Sequence, residues 1–600
     1  MRVALTMAAP SKSTATFQQA VAVYRQGRLG EAEALCRKTL RTDPKHVPAL
    51  HLLGVICLRK RDPAAAVEAF GRLLKLQPDS PDVLNNQAMA LYDIGRRDEA
   101  LASLDRALAL RPDYREALNN RAGLLDALRR FSAAAETYAR LWALAPDQSQ
   151  ALGSLLQSRM NACDWTDYDK TSAEIVARTA RGECPNDPVT FTWHSLSPAL
   201  QLRCTQDYAA RKFPLRPLPR GARTEHERIR VAYLSSDFRE HPISYMFVHL
   251  FERHDRARFE VVALSYGEDD GSNIRRRLET AFDRFIDVRK LTDLEIAQLI
   301  RREGIDILVD LVGYTGGNRA QILTYRPAPI QANFQGFGLG ASLMDYVFSD
   351  AETTPDRLLE ATYGEKVVRL PDTWVATDTA QPIADTTPRR ADEGLPEQGF
   401  VFCSFSSPYK INPPVFDAWM RLLAAVPGSV LWLRYEHEDA CRNLRKSAEQ
   451  RGVAPARLVF ARRIGLAEHL ARLRLADLFI DTYPYGAHTT ASHALWAGLP
   501  LLTLRGEPFV SRVSASILQA VGLPELVTES LEAYEARALE LARDPGQLDT
   551  LRQKLARQRP TAPLFDSERY RRHVEQAYLQ MMERLRRGEP PASFDVPPIG

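Results

Sequence analysis

Residues 475–503, LADLFIDTYPYGAHTTASHALWAGLPLLT, predict a strand, a turn, a helix and a second strand, in that order. The first strand ends near Asp481, and Thr489 and Thr490 begin the helix. The first N–H groups of a helix lack intrahelical partners, and the helix dipole is positive at that end. Two hydroxyls could simply cap the helix. Because His488 stands beside them, we favour an anion site that fits a diphosphate.

The same alternation of apolar segments and helical patterns extends on both sides of this stretch. Helical patterns such as NIRRRLETAFDRF and LTDLEIAQLIRRE separate the segments. This alternation is typical of parallel sheets covered by helices. Two series of segments therefore predict two Rossmann-like halves, with a ligand cleft at the carboxyl ends of the strands. The first series, from Arg230, is IRVAYLSSDF, FEVVALSY, IDILVDLVG and PIQANFQGF; the second, from about Gly399, is FVFCSFSS, SVLWLRY, RLVFARR, LADLFIDTY and PLLTLRG.

The N-terminal quarter of the chain repeats every 34 residues. Small residues recur with the same step as prolines, which is the signature of tetratricopeptide units. Each unit is a helix pair that buries its apolar face only by stacking, so the units predict a solenoid whose concave groove binds polypeptide. The repeated positions are Pro44, Pro78, Pro112 and Pro146, and Ala32, Ala66, Ala100 and Ala134.

Two asparagines, Asn86 and Asn120, lie one repeat apart at a position expected to face this groove. A side-chain amide both donates and accepts hydrogen bonds, so a column of amides could hold an extended peptide backbone. The equivalent positions are Leu52 and Ser154, so the column is short. Ordinary solvated helix residues are an equally supported interpretation.

Composition excludes some classes of partner. The formal net charge is only +4, from 79 basic and 75 acidic residues, so neither a nucleic acid nor a membrane surface is expected as a partner. The sequence has no apolar run of membrane-spanning length. The N-terminus does not resemble a signal peptide. The seven cysteines are scattered without CxxC spacing, which argues against a zinc site and favours a reducing compartment. We therefore expect a cytoplasmic protein.

Three further residues are candidates for chemistry. Lys410 follows a predicted strand and could neutralise a departing nucleoside diphosphate. Asp237 and His241 follow the first strand of the first half, and a histidine is a natural general base for a hydroxyl group. Each could instead be an ordinary surface or structural residue.

A metal site is a weaker possibility. Asp167 and Asp169 are spaced by one residue, as in some metal-dependent sugar transferases. They lie in a helical stretch with no strand before them, so we predict that no metal is bound there.

Several motifs together resemble the O-linked N-acetylglucosamine transferases, the family that includes the SPINDLY proteins. The resemblance covers nearly the whole chain. Besides the repeats, it rests on NACDWTDYD, RVAYLSSDFREHP, RPAPIQ, MDY, YKI, SVLWL, LADLFIDTYPY, GAHTTASHALWAG and GEPFVSRV, in that order.

The resemblance implies a GT-B fold and an inverting, metal-independent reaction. UDP-N-acetylglucosamine (UDP-GlcNAc) would be the co-substrate, no cofactor would be needed, and the acceptors would be serine and threonine hydroxyls of polypeptides. It also implies residue roles: His241 as base and Asp237 as proton acceptor; Lys410 on the donor diphosphate; His488, Thr489 and Thr490 in the donor-binding run; His469 stacked on uracil; and Gly336 lining the sugar pocket.

The chain departs from the family pattern around the donor. It has His493 where many members have an aspartate for the ribose, Leu466 where animal enzymes have a lysine, and Ser407 where a glutamine or asparagine is usual. The loop FGLGAS before Met344 is two residues shorter than the family's. The donor could therefore also be GDP-fucose, UDP-glucose or another hexose nucleotide. A catalytically inactive tetratricopeptide adaptor is the alternative of a different class.

These patterns predict a tetratricopeptide superhelix followed by a GT-B unit of two Rossmann-like domains, an α plus α/β fold. The predicted segments are a disordered start at 1–15, repeats at 16–153, a helical linker region at 154–229, an N-terminal catalytic domain at 230–384, a nucleotide-sugar-binding domain at 385–540, closing helices at 541–588 and a disordered tail at 589–600.

Overall fold

The computed structural model describes residues 12–219 and 226–599. The chain divides into a helical unit that ends at Arg159 and a larger unit that begins at Met160. The predicted order, a helical array and then an α/β part, is confirmed. Within the described ranges no helix combines the length and the apolar character needed to cross a membrane.

The described part of the helical unit, from residue 12 onward, contains four antiparallel helix pairs and most of a ninth helix. Each repeat proline lies in the short connection after the second helix of a pair, where the residue before it cannot easily continue a helix. The tetratricopeptide prediction is therefore confirmed. The helices are α1 Lys12–Arg25, α2 Leu29–Thr42, α3 Val47–Arg59, α4 Pro63–Leu76, α5 Pro81–Asp93, α6 Arg97–Leu110, α7 Arg115–Ala127, α8 Phe131–Leu144 and α9 Ser149–Asn161.

Small residues set the distance between the helices of each pair. The four repeat alanines are fully buried. A Cβ atom on Gly54 of α3 would lie 2.4 Å from the Phe70 ring of α4, so only glycine permits this approach. The predicted disordered start is wrong for residues 12–15, which belong to α1, while residues 1–11 lie outside the described part of the chain.

Three helices connect the helical unit to the sheets: α10 Tyr168–Ala180, α11 Pro188–Phe191 and α12 Pro198–Lys212. They correspond to the helical linker region predicted at 154–229, of which residues 220–225 lie outside the description. The last helix packs against the first sheet domain, since Ala209 shares a core cluster with strand residues such as Leu308.

The first sheet domain has a parallel sheet in the order β7-β6-β5-β4-β1-β2-β3. Strand β1, which precedes the candidate base His241 in the chain, pairs with β2 and β4 and is buried along most of its length. The strands are β1 Ile229–Ser235, β2 Phe259–Ser265, β3 Arg284–Asp287, β4 Ile307–Asp310, β5 Ile330–Asn333, β6 Tyr346–Asp350 and β7 Lys366–Leu370; the helices are α13 Pro242–Arg253, α14 Asn273–Ala281, α15 Asp293–Arg302 and α16 Leu359–Thr362.

The second sheet domain repeats the pattern with the order β10-β9-β8-β11-β12-β13, again with parallel pairing. The predicted pair of Rossmann-like domains is thus confirmed. The strands are β8 Val401–Ser404, β9 Val430–Arg434, β10 Leu458–Ala461, β11 Leu478–Ile480, β12 Leu501–Leu504 and β13 Val527–Thr528; the helices are α17 Pro413–Ala425, α18 Glu438–Gln450, α19 Leu466–Arg472, α20 Thr489–Ala497 and α21 Val513–Ala520.

The C-terminal elements return to the first sheet domain. Helices α22 Leu531–Arg543 and α23 Pro545–Gln558 stay with the second domain, whereas α24 Ser567–Arg586 packs on the first. Strand β14 Phe594–Asp595 then pairs in parallel with β7 and extends the first sheet to eight strands. The disordered tail predicted at 589–600 is therefore wrong for Phe594–Asp595, which pair with the edge of the sheet, while residue 600 lies outside the described part of the chain.

Candidate active site

The most informative stretch of sequence folds as a strand, a loop and a helix. Strand β11 ends at Ile480, and buried Asp481 organises the loop that follows. Its Oδ1 accepts hydrogen bonds from the N–H groups of Thr482 and Ala487, both at 2.7 Å, and its Oδ2 accepts one from the Thr503 hydroxyl at 2.8 Å. Burial raises the pKa of Asp481. The loop is thus held in one conformation up to the start of α20.

The start of α20 carries His488, Thr489 and Thr490. Within the described residues this helix end has no side-chain cap, so capping does not account for the two threonines. The Thr489 hydroxyl lies 3.4 Å from the sulfur of Met246, which belongs to α13 of the first domain. The helix start therefore lies against the first domain, and its first N–H groups, which lack intrahelical partners, are of the kind that binds an anion.

Lys410 is attached to the same loop. It ends a 3₁₀ turn after β8, and its Nζ donates a 2.7 Å hydrogen bond to the Gly486 carbonyl. The ammonium group also lies 4.0 Å from the centre of the Tyr485 ring. Burial lowers the pKa of Lys410 to about 8, although the nearby Asp481 carboxylate acts in the opposite direction. Lys410, His488, Thr489 and Thr490 are thus brought together.

The turn that carries Lys410 is supported by the linker region. The Trp165 indole N–H donates to the Ile411 carbonyl at 3.3 Å, and the Cys163 thiol lies 3.6 Å from the Pro408 carbonyl oxygen. Trp193 stacks on Tyr409 with the ring centres 4.0 Å apart. The NACDWTDYD motif therefore has a structural function that its sequence did not indicate: it supports the turn beneath the lysine.

His241 and Asp237 lie across the cleft, between β1 and α13. His241 is the N-cap of α13, and its Nδ1 is 3.7 Å from Asp237 Oδ2. Asp237 is fixed by its backbone, since its N–H donates to the Ser235 hydroxyl and its carbonyl accepts from the Ser244 hydroxyl. Burial lowers the pKa of His241 below its ordinary value, against the opposing effect of Asp237. A neutral imidazole near pH 7 can accept a proton.

His469 and His493 lie together on the other side of the α20 start. His469 Nδ1 accepts a 3.2 Å hydrogen bond from Arg472 Nε, and its ring meets Phe405 edge-on at 5.0 Å. Burial lowers the pKa of His469 to about 3 and that of His493 to about 4, so both are neutral. Nε2 of His493, Nε2 of His488 and the Ser492 hydroxyl are buried without hydrogen-bond partners among the described residues. Buried polar atoms usually have hydrogen-bond partners, so these three are candidates for contact with a bound ligand.

Gly336 lies beneath an aromatic side chain of the second domain. Its φ of +70° is in the left-handed region, and a Cβ atom there would overlap the Phe509 ring. The Tyr363 hydroxyl donates to its carbonyl at 2.7 Å. The adjacent Phe337 ring lies over His488, with centres 6.5 Å apart, so this loop reaches the donor-side residues.

The shortened loop that follows Gly336 is ordered by a buried carboxylate. Glu365 Oε1 accepts hydrogen bonds from the N–H groups of Leu339, at 2.6 Å, and Gly340, at 2.7 Å. Burial raises the pKa of Glu365. These hydrogen bonds therefore hold the shortened loop in a defined conformation.

Some candidate residues lie elsewhere. Asn120 Nδ2, in the helical unit, donates to Asn85 Oδ1 at 2.8 Å, and Asn85 is buried. The amide of Asn120 is thus paired with Asn85, the residue before the predicted Asn86. Peptide binding by Asn86 and Asn120 stays a prediction. Asp167 precedes α10 and Asp169 lies in its first turn. The described residues contain no cluster of three or more His, Cys, Asp or Glu side chains suited to a metal ion.

Comparison with known proteins agrees with this architecture. The two parallel-sheet domains are of the GT-B type, and tetratricopeptide repeat profiles match residues 23–90 and 85–149. The profile of glycosyl transferase family 41 matches residues 162–393 and 376–574. The chain therefore belongs to glycosyl transferase family 41.

Two curated relatives and one solved structure illustrate the similarity. The chain is 33% identical to the probable UDP-N-acetylglucosamine–peptide N-acetylglucosaminyltransferase SEC of Arabidopsis thaliana, over 74% of this chain and 48% of the relative. It is 29% identical to the UDP-N-acetylglucosamine–peptide N-acetylglucosaminyltransferase of Caenorhabditis elegans, over 71% of this chain and 48% of the relative. A lysine-to-methionine mutant of Thermobaculum terrenum O-GlcNAc transferase superposes with a TM-score of 0.67 at 28% identity, covering 89% of this chain and 97% of that one. The chain thus spans about half the length of these two curated relatives.

Proposed function

We propose that this protein transfers N-acetylglucosamine from UDP-GlcNAc to serine or threonine hydroxyls of polypeptides. The observation that carries the proposal is the hydrogen bond from Lys410 Nζ to the loop that begins α20, because it combines a cation, two hydroxyls and a helix N-terminus at one point. The two curated relatives are named as peptide N-acetylglucosaminyltransferases, which supports the choice of sugar and of a peptide acceptor. The repeats would hold the acceptor polypeptide.

On the donor side, the chain's own groups would stabilise the departing diphosphate. Lys410 is largely protonated at neutral pH, since its pKa is about 8. Its ammonium group, the hydroxyls of Thr489 and Thr490 and the N–H groups of α20 would stabilise the charge that develops as the sugar leaves. We propose that these groups do so without a metal ion.

On the acceptor side, we propose that His241 takes the proton of the attacking hydroxyl. The oxygen attacks the anomeric carbon from the face opposite the diphosphate, so configuration is inverted. Asp237 would hold the imidazole in place and stabilise the imidazolium that forms, as a carboxylate at 3.7 Å can.

The test is intact-mass analysis of acceptor peptides incubated with UDP-GlcNAc. We expect a gain of about 200 Da per modified residue and a loss of at least about a hundred-fold in rate for Lys410→Ala. Lys446→Ala, which removes an exposed lysine of α18, should retain the wild-type rate. Wild-type turnover by Lys410→Ala on a competent acceptor would refute the assignment.

A second candidate keeps the reaction and changes the donor. His493 favours it, because a neutral imidazole with an unpartnered Nε2 takes the position where many members have a ribose-binding carboxylate. A panel of UDP-GlcNAc, UDP-glucose and GDP-fucose with a nucleotide-release readout distinguishes the donors. Calorimetry with UDP and GDP tests the inactive adaptor, which requires that neither nucleotide binds.

A further inference from the structure

Two cysteines of the linker region share one small buried space. Cys184 lies in the loop between α10 and α11, and Cys204 lies in α12. Their sulfur atoms are 3.6 Å and 3.8 Å from the same Asn186 carbonyl oxygen, and the Cys184 sulfur is also 3.7 Å from the Cys204 carbonyl oxygen. Both thiols thus approach the same carbonyl oxygen.

The surroundings of this pair make Cys184 the more readily deprotonated of the two thiols. Arg211 holds the loop by donating to the carbonyls of Gly182 and Glu183, at 3.2 Å and 2.9 Å. The hydrogen bond from Cys204 and the charge of Arg211 lower the pKa of Cys184 in spite of burial, whereas the pKa of Cys204 is raised. A thiolate beside a cation is the reactive form of cysteine.

The other five cysteines provide the contrast. Burial raises the pKa of each of them, to about 12 for Cys36 and about 11 for Cys441, and also for Cys57, Cys163 and Cys403. They are ordinary small core residues.

We propose that Cys184 and Cys204 form a thiol–disulfide exchange site, which reacts with a small disulfide such as oxidised glutathione and closes to an intramolecular disulfide. This proposal is independent of the proposed transferase reaction.

The exchange takes place in two steps. The Cys184 thiolate attacks one sulfur of oxidised glutathione, forming a mixed disulfide and releasing one glutathione thiolate, which takes up a proton. Cys204 then loses its proton and attacks the Cys184 sulfur, forming the intramolecular disulfide and releasing the second glutathione. Counted from the dithiol form, the protein loses two protons and two electrons, and oxidised glutathione gains both. Since both cysteines are buried, we expect the first step to require local opening of the loop and to be slow.

The disulfide would join the two ends of a segment that packs against the turn carrying Lys410. Residues 185–203 include α11 and Trp193, whose indole stacks on Tyr409. A covalent bond across this segment reduces the freedom of its open state. We therefore expect amide hydrogen exchange in 185–203 to slow by about tenfold after oxidation, because exchange requires opening.

The test treats the full-length protein with oxidised glutathione and measures its mass. We expect a loss of about 2 Da that dithiothreitol reverses. Trypsin cleaves after Arg203, so non-reducing digestion should give a linked pair of peptides, 182–203 and 204–211. Cys204→Ser should stop at a mixed disulfide on Cys184, with a gain of about 300 Da, and Cys184→Ser should form neither product. Cys441→Ser is the matched control and should still form the disulfide.

Several outcomes would overturn the proposal. Alkylation of both Cys184 and Cys204 after prolonged oxidation of the wild-type protein would do so, as would linkage of either one to a different cysteine. Because peptide mapping of the wild-type protein decides both points, the test does not depend on the folding of any variant.

Discussion

At the residue scale, the burial of Lys410 bears on the proposed binding of a diphosphate. Its pKa of about 8 means that burial opposes its charge, while the Gly486 carbonyl and the Tyr485 ring surround the ammonium group. An incoming diphosphate would add negative charge beside the ammonium group and favour its protonated form, as the nearby Asp481 carboxylate already does. The binding energy of the nucleotide should therefore depend on the protonation of this one group.

Nucleotide affinity should accordingly fall as pH rises through the pKa of Lys410. The ammonium form predominates below about pH 8 and is lost above it, so the Kd for UDP should rise by roughly tenfold between about pH 7 and about pH 9. Isothermal titration calorimetry measures this directly. Lys410→Arg keeps its charge over this range, so its Kd should stay nearly constant. A wild-type Kd that does not change with pH would contradict the prediction.

The acidic limb of the activity profile should reflect His241. Burial lowers the pKa of His241 below its ordinary value of 6.5, whereas the charge of Asp237 raises it. Asp237→Asn removes that effect, so we expect the acidic limb of kcat/KM to move to lower pH, together with a lower plateau rate. The Asn side chain is nearly isosteric, which keeps the loop in place. Movement of the limb to higher pH would show that another group titrates.

At this scale, the sequence predicts the chemical type of a candidate site residue better than it predicts which residues surround it. Lys410, His488, Thr489 and Thr490 could be proposed because strand ends and helix starts position them. Trp193 and Asp481 could not, because their roles come from partners that the sequence pattern does not reveal: Trp193 stacks on Tyr409, and Asp481 accepts hydrogen bonds from the N–H of Ala487 and the hydroxyl of Thr503.

At the scale of elements, the contact between the Gly336 loop and the Phe509 turn joins the two domains. A Cβ atom on Gly336 would be 2.0 Å from the Phe509 ring, so the loop can approach this ring only if residue 336 has no side chain. The two elements come from different sheets, and their contact determines the shape of the space between the Gly336 loop and His488.

Gly336→Ala should therefore weaken donor binding. The left-handed backbone costs an alanine about 1–2 kcal/mol, and Phe509 must also move. We expect the affinity for UDP-GlcNAc to fall by about tenfold or more and that for UDP to fall less, because Gly336 lines the proposed sugar position. Gly316→Ala is the control, since its Cβ atom would meet no heavy atom within 4 Å. Equal losses for both ligands would argue against that position.

Elements with strong apolar patterns were predictable, and weakly patterned ones were not. The sequence NIRRRLETAFDRF predicts one helix, but α14 ends at Ala281 and Arg284–Asp287 form edge strand β3. A four-residue edge strand with exposed ends carries little hydrophobic periodicity. Strand β14 has two residues, and it forms a strand only because its backbone pairs with the free edge of β7.

At the scale of the whole molecule, α24 fastens the C-terminal part of the chain to the first domain. Glu575 on this helix accepts hydrogen bonds from His254 Nδ1 at 2.9 Å and from the Asp255 N–H at 2.8 Å, and it pairs with Arg571. Its hydrogen bond with His254 contributes to lowering its pKa, against burial. The Tyr233 and Tyr578 hydroxyls, 3.0 Å apart, continue the same buried network.

Glu575→Ala should destabilise the catalytic unit by about 3 kcal/mol or more, because it leaves a buried histidine and a buried N–H without partners. Glu568→Ala, one to two turns earlier on α24, removes a more exposed carboxylate that also pairs with Arg571. This control should cost less than about 1 kcal/mol. Chemical denaturation followed by tryptophan fluorescence compares the two, and similar losses would contradict the assigned role of Glu575.

The return of α24 also has a mechanical consequence. The backbone passes between the two sheet domains once after β7 and again between α23 and α24. A body tethered at a single point can swivel in any direction, whereas one tethered at two separate points can turn only about the line that joins them. Any opening and closing of the cleft should therefore follow one arc, returning the helix start of α20 to the same place opposite His241 in each cycle.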